Sequence, residues 1–254
     1  MSENRKFSVL MSVYVKENPV FLEEAVESII HQTLKPSEVV IVEDGPLTPE
    51  LYQVLEKLEA QSSIPIKRWP LEQNRGLGLA LQNGVLQCQY DVIARMDTDD
   101  IAVEDRFEQQ FELMEKENLD LLGGHIAEFI DQPDEIVSYR RVPTKHEDII
   151  AYQRMRSAFN HMTVMFKKEM VLKAGNYEDG LYMEDDLLWL NMISAGARTG
   201  NVDQILCKVR VGAGMFERRG GLRYLKLYRQ ARQRMHARGQ ISYGEYLKSV
   251  LIKP

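Results

Sequence analysis

Three acids within four positions, Asp97-Thr98-Asp99-Asp100, close the run Asp91-Val92-Ile93-Ala94-Arg95-Met96, which reads as a strand. Carboxylates this close repel one another unless a cation joins them. Hard oxygen donors favour Mg²⁺ or Mn²⁺, ions that keep coordination positions open for phosphate oxygens. Such an ion neutralises charge developing on a diphosphate leaving group. The competing reading of Asp97, Asp99 and Asp100 is a solvated turn whose acids cap the following helix.

Other chemistry-bearing residues stand at similar places. Asp44 follows the run Val39-Val40-Ile41-Val42-Glu43, where its carboxylate can accept a hydrogen bond from a base ring N–H, as on uracil. Tyr14 ends the run Phe7–Val13 and offers a flat face for a base to stack on. Each is equally an ordinary strand-end residue. The glycines of Gly76-Leu77-Gly78 open a helix, where backbone N–H groups can approach a phosphate; with Leu81 in the third glycine position they make a weak dinucleotide signature. Glu184-Asp185-Asp186 begins an amphipathic segment. Acids there complement the helix dipole, and one facing the acidic cluster can instead deprotonate an acceptor hydroxyl.

The elements that must position these residues are legible from periodicity. Runs at 7–14, 39–42, 64–69 and 91–96 read as strands, the first two as buried ones. Between them lie a helix carrying Phe21, Leu22, Ala25, Ile29 and Ile30, a second starting at the Thr48 cap with Pro49, and a third over 77–88. Strand and helix alternating in this way give βαβ units and a largely parallel twisted sheet, an α/β fold in which ligands bind beyond the carboxyl ends of the strands. The second half predicts a helix at 103–117, a break at Gly123-Gly124, strands at 125–130, 136–142, 161–166 and 204–211, and a helix at 185–195.

With 254 residues, 44% hydrophobic and 28% charged, the chain fits one globular domain with a tail. Cys88 and Cys207 match no metal or redox spacing and read as small buried hydrophobes. No stretch reaches the roughly 18 apolar residues of a membrane span, and Met1–Lys6 has no signal-peptide character, so the expected location is the cytoplasm. Residues 218–254 hold ten Lys/Arg and one acid, a net +9, against −15 for residues 1–217. That contrast divides the chain into a domain at 1–217 and a basic C-terminal helical extension at 218–254. The tail can pack on the domain, meet nucleic acid, or rest on anionic lipid.

Taken in order, Ser8–Tyr14, Val40–Gly45, Asn74-Arg75-Gly76, Ala94–Asp100, Asn160-His161, Gly175-Asn176-Tyr177, Glu184-Asp185 and Trp189 resemble glycosyltransferase family 2, inverting enzymes of the Rossmann-like GT-A fold. The resemblance implies that Tyr14 and Asp44 hold the uracil and that Asn74 and Arg75 line the nucleotide pocket. It implies that Asp97, Asp99 and Asp100 bind ribose and a diphosphate bridged by Mn²⁺ or Mg²⁺, and that Asp185 is the base, with Glu184 its competitor. It further implies a nucleotide-diphosphate sugar donor, with UDP the default nucleotide, and a glycan or lipid-linked glycan acceptor. Many relatives extend lipid-linked glycans at the inner membrane face, so the basic tail suits a peripheral place there, and no nucleic-acid partner is expected. Glu43-Asp44-Gly45-Pro46 departs from the usual Asp-Asp-Gly-Ser, Val15 from a frequent Asn, and Asp186 displaces an acid often nearer the Trp.

Two other classes compete. A sugar-phosphate nucleotidyltransferase usually carries a glycine-rich phosphate loop after its first strand, and Tyr14-Val15-Lys16-Glu17-Asn18-Pro19 contains no glycine. In a degenerate binding scaffold both acid clusters would be an idle cost to stability.

Overall fold

The computed structural model describes residues 5–179, 183–212 and 221–252. The strands β1 (Phe7–Val13), β2 (Glu38–Glu43), β3 (Ile66–Pro70) and β4 (Val92–Arg95) lie parallel in the order β3-β2-β1-β4. Helices α1 (Pro19–Ile30), α2 (Pro49–Gln61) and α3 (Leu77–Gln87) connect them. The second half adds β5 (Ile101–Ala102), α4 (Arg106–Glu117), β6 (Leu121–Phe129), β7 (Ile136–Arg140), α5 (His146–Gln153), β8 (Met165–Lys167), α6 (Lys168–Lys173), α7 (Glu184–Ser194) and β9 (Thr199–Arg210). It extends the same sheet as β4-β8-β6-β9-β5, with β7 on the side of β6. Here β8 runs antiparallel to both neighbours, β7 is antiparallel to β6, β5 is antiparallel to β9, and β6 and β9 are parallel.

Alternation along the central strands builds two apolar layers. Phe7, Val9, Met11 and Val13 with Val39 and Ile41 face α1, α2 and α4, whereas Leu10, Val40 and Val42 face α3 and α7. Trp189 of α7 is buried among Phe159, His161, Phe166 and Tyr177, which anchors that helix against the sheet.

The glycine pair at 123–124 is not a break. Strand β6 runs through it, because β-carbons there would meet Asn201 Oδ1 at 2.8 Å and Leu206 Cδ1 at 2.4 Å, so the neighbouring strand β9 needs the space. Residues 161–163 form a 3-10 turn, which shortens the expected strand at 161–166 to β8. Both cysteines are buried free thiols, as expected, and burial pushes Cys88 up to about 12 and Cys207 up to about 11.

The tail forms α8 (Gly221–Ala237) and α9 (Tyr243–Ile252). Met235 and Ile241 pack on Leu187 and Leu190 of α7, while Tyr228 and Ala231 pack on Met183. The boundary expected at 217/218 lies outside the described residues. No helix among those described is long and apolar enough to cross a membrane.

Gly45, just past β2, has φ +84°, and a β-carbon there would sit 2.5 Å from the Asn74 nitrogen. Gly45→Ala therefore combines left-handed strain with a backbone clash. We expect it to lower unfolding stability by roughly 1–3 kcal/mol, read from the urea midpoint at unchanged slope.

Candidate active site

Register places the candidate residues at one sheet edge. Val13 pairs with Glu43, and the Asp44 amide donates to the Val13 carbonyl at 2.8 Å, so Tyr14 and Asp44 emerge side by side. Met96 N–H donates to Leu10 O at 3.1 Å, which brings the turn after β4 to the same edge.

The Asp44 carboxylate is buried and accepts the Arg75 amide on Oδ1 at 2.7 Å and the Gly76 amide on Oδ2 at 3.0 Å. Asn74 Nδ2 returns a bond to the Asp44 carbonyl at 3.1 Å. Asp44 thus fixes the loop that opens α3, using one acceptor position on each oxygen and leaving the others. Its neighbour Glu43 is committed elsewhere, to Arg68 Nε at 2.5 Å. Tyr14 is half-buried, and Arg75 is exposed without an acidic partner among the described residues.

Asp97, Asp99 and Asp100 present carboxylate oxygens within 4.8 Å of one another. Burial and then the charges of Asp97 and Glu17 push Asp99 up to about 7, while burial and the charges of Asp99 and Asp97 push Asp100 well above the usual range. The fold therefore holds three hard oxygen donors under mutual repulsion that a divalent cation would relieve. This donor set fits Mg²⁺ or Mn²⁺.

Two arginines and a glutamate brace the cluster. Arg95, fully buried at the end of β4, ion-pairs Asp97, while its Nε and Nη1 have no partner among the described residues. The Arg210 amide donates to Asp100 Oδ1 at 3.0 Å, and its guanidinium lies 3.8 Å from the Phe21 ring centre and 4.6 Å from that of Phe129. Thr98 Oγ1 donates to Glu17 at 2.6 Å. Sequence reasoning gave none of Arg95, Arg210 or Glu17 a role at the site. A charge inside the apolar run 92–96 is the one signal that marks Arg95.

The acids of α7 reach this edge from the opposite wall. A β-carbon on Gly78, in the first turn of α3, would meet the Glu184 side chain at 3.0 Å, so Glu184 lies against the helix that follows the Asp44-held loop. Burial raises the Glu184 pKa, opposed by the charge of Arg95 and reinforced by that of Asp97, so the acid sits within electrostatic reach of the cluster. Asp185 is pushed up to about 8 by burial, then Asp186 and Glu184, with Arg140 pulling the other way. Asp186 is buried and accepts from Gln153 Nε2 at 2.7 Å. Behind them His161 bonds Tyr177 Oη at 2.9 Å and is held neutral by burial and then by Arg95.

One edge thus gathers Tyr14, Asp44, Asn74, Arg75, the three aspartates, Glu184 and Asp185. The Glycosyl transferase family 2 model matches residues 8–176, two-thirds of the chain. The chain belongs to that family. It is a glycosyltransferase.

Its relatives agree. The amylovoran biosynthesis glycosyltransferase AmsE of Erwinia amylovora is 42% identical over 87% of this chain and 82% of its own. The UDP-Gal:alpha-D-GlcNAc-diphosphoundecaprenol beta-1,3-galactosyltransferase of Escherichia coli is 35% identical over 98% of this chain and 90% of its own. In fold the glycosyltransferase is similar to the mannosyltransferase PcManGT from Pyrobaculum calidifontis, solved with GDP-Man and Mn²⁺. The TM-score is 0.69, at 15% identity over 96% of this chain and 68% of that one. The GT-A architecture expected from the motifs is the one observed, with a curled central sheet and a helical C-terminal segment. Arg218 and Arg219, alternative ligands for a donor diphosphate, lie outside the described residues.

Proposed function

We propose that this glycosyltransferase moves a hexosyl or N-acetylhexosaminyl group from a UDP-sugar to a hydroxyl of a lipid-linked glycan, with inversion, in cell-surface polysaccharide synthesis. The observation that carries this is the convergence of Asp44, the Asp97–Asp100 cluster and the α7 acids on one edge. The names of the two bacterial relatives support the donor, the acceptor class and the pathway.

In this reading Tyr14, Asp44, Asn74 and Arg75 hold the base and nucleoside, and Asp97 contacts the ribose. Asp97, Asp99 and Asp100 would hold Mn²⁺ or Mg²⁺, whose positive charge would offset the negative charge developing on the diphosphate leaving group. Asp185 takes the proton of the acceptor hydroxyl as its oxygen bonds to the anomeric carbon, while the bond from that carbon to the diphosphate oxygen breaks on the opposite face. Asp185 is preferred to Glu184 because the Glu184 stem is tucked against Gly78.

The test is product analysis with UDP-sugars, Mn²⁺ and short-chain sugar-diphosphate lipids. A mass gain of one sugar with release of UDP is expected. Formation of a nucleotide-sugar from a nucleoside triphosphate and a sugar phosphate, with no glycosyl transfer, would contradict it.

A peripheral membrane position at the cytoplasmic face belongs to the same proposal. Three of the tail's cations are engaged within the protein, for Arg234 and Arg238 pair with Glu178 and Arg232 is buried against Ser249. Lys226, Arg229 and Lys248 are exposed and have no acidic partner among the described residues. Tyr243, Leu247 and Leu251 recur at helical spacing on α9 and are 61%, 39% and 79% exposed. An apolar stripe beside unpaired cations suits an anionic lipid surface. Leu247→Asp with Leu251→Asp should weaken sedimentation with anionic vesicles at least about tenfold. Unchanged binding would remove lipid contact through α9.

A further inference from the structure

Near the first turn of α7, several arginines lack a counter-ion among the described residues. Arg140, the last residue of β7, donates from Nη2 to the Ser157 carbonyl at 3.2 Å. The next residue, Ala158, gives its amide to Gln153 Oε1 at 2.7 Å, and Gln153 Nε2 donates to Asp186 at 2.7 Å. Arg140 is therefore tied, through one side chain, to the first turn of the helix that carries Glu184 and Asp185. Arg141 and Arg156 are exposed nearby in sequence and space, with the Arg156 guanidinium 5.8 Å from the Tyr152 ring centre.

None of Arg140, Arg141 and Arg156 has an acidic partner among the described residues. The chain has 38 acids against 32 lysines and arginines, so acids are not scarce. Several other arginines do find them: Arg68 pairs with Glu43 and Glu59, Arg95 with Asp97, Arg210 with Glu24, and Arg234 and Arg238 with Glu178. The charge of Arg140 also reaches Asp185, favouring its ionised form. Unpaired guanidinium groups beside a proton-accepting carboxylate suit an anion that accompanies the nucleophile, and a planar fork is the group that matches phosphate oxygens.

We propose that Arg140, with Arg156 beside it, binds a diphosphate carried by the acceptor and so presents the acceptor hydroxyl to the acids of α7. This rests on the glycosyl-transfer reading for the place of the base, and it assigns the acceptor's anionic group to residues outside the donor site.

The full chain, saturated with Mn²⁺ and UDP so that the donor site is filled, is titrated calorimetrically with two probes. One is N-acetylglucosamine 1-diphosphate esterified to a phenylalkyl chain, and the other is the phenylalkyl glycoside of the same sugar without phosphate. The wild type should bind the diphosphate probe at least about tenfold more tightly, Arg140→Ala should remove that preference, and Arg140→Lys should keep part of it. Should Arg140→Ala fail to fold, Arg156→Ala, at an exposed side chain, is expected to reduce the same preference. No preference in the wild type, equal weakening of both probes by Arg140→Ala, or weakened UDP binding in that variant would each overturn the assignment. If the probe binds through Arg140 but never receives a sugar, the transfer reading fails while the diphosphate site stands.

Discussion

Asp99→Asn is expected to abolish cation-dependent UDP binding and to lower kcat/KM by about three orders of magnitude, while raising the melting temperature of the metal-free protein above pH 7. The two effects have one origin. Asp99 is the middle acid of a cluster whose oxygens lie within 4.8 Å of one another, and burial with neighbouring charge pushes it up to about 7. A carboxylate raised above its ordinary value favours the folded state fully below that ordinary value, and the benefit is lost as pH rises through about 7. Above that pH the ionised group weighs on the fold, and the amide relieves it. Calorimetry of UDP binding with Mn²⁺ and thermal unfolding in a chelator read the two halves. A variant less stable than the wild type in chelator would mean that Asp99 serves the fold rather than a cation.

Asp185→Asn should leave UDP binding within about twofold and lower kcat by about 10²–10⁴-fold, the usual worth of a positioned general base. Asp185 contacts neither the Asp44 loop nor the aspartate cluster through any hydrogen bond among the described residues, so its loss spares the donor site. Because Asp185 is pushed up to about 8, the proton-accepting form is filled only as pH rises towards that value. Wild-type kcat/KM should therefore climb with pH, reach half its plateau near 8 and level off only above that value, and the climb should be absent from the residual activity of Asp185→Asn. Loss of turnover in Glu184→Gln with Asp185→Asn unaffected would transfer the role to Glu184.

The parallel half of the sheet was legible because a strand buried on both faces leaves a continuous apolar run, as at Phe7–Val13 and Val39–Val42. The Thr48–Pro49 start of α2 was legible for a local reason, a side chain that caps the Leu51 amide at 3.3 Å. The second half was harder. Strand β5 has two residues, too few for any periodicity, and β9 begins with the polar Thr199-Gly200-Asn201, whose fit comes from Gly123 across the ladder. The helices α5 and α6 span eight and six residues and were not anticipated.

The site divides in the same way. Asp44, Asp97, Asp99, Asp100, Glu184 and Asp185 stood out as candidates because acids at strand or helix ends are visible in one dimension. Arg140 and Arg210 contribute through contacts across 17 and 110 residues of chain, which no local pattern encodes. In the tail the amphipathic pattern pointed to packing on the domain, and α8 does pack on α7. Which cations that packing consumes depended on Glu178, which no periodicity in the tail reveals.

The most direct test is electron paramagnetic resonance of Mn²⁺ bound to the full chain, with and without UDP. Phosphorus hyperfine coupling should appear in the Mn²⁺ signal when UDP is added to the wild type or to Asp185→Asn, and should be missing from Asp99→Asn. A Mn²⁺ signal that UDP leaves unchanged, or coupling that survives in Asp99→Asn, would contradict a cation held between the strand-end aspartates and a nucleotide diphosphate.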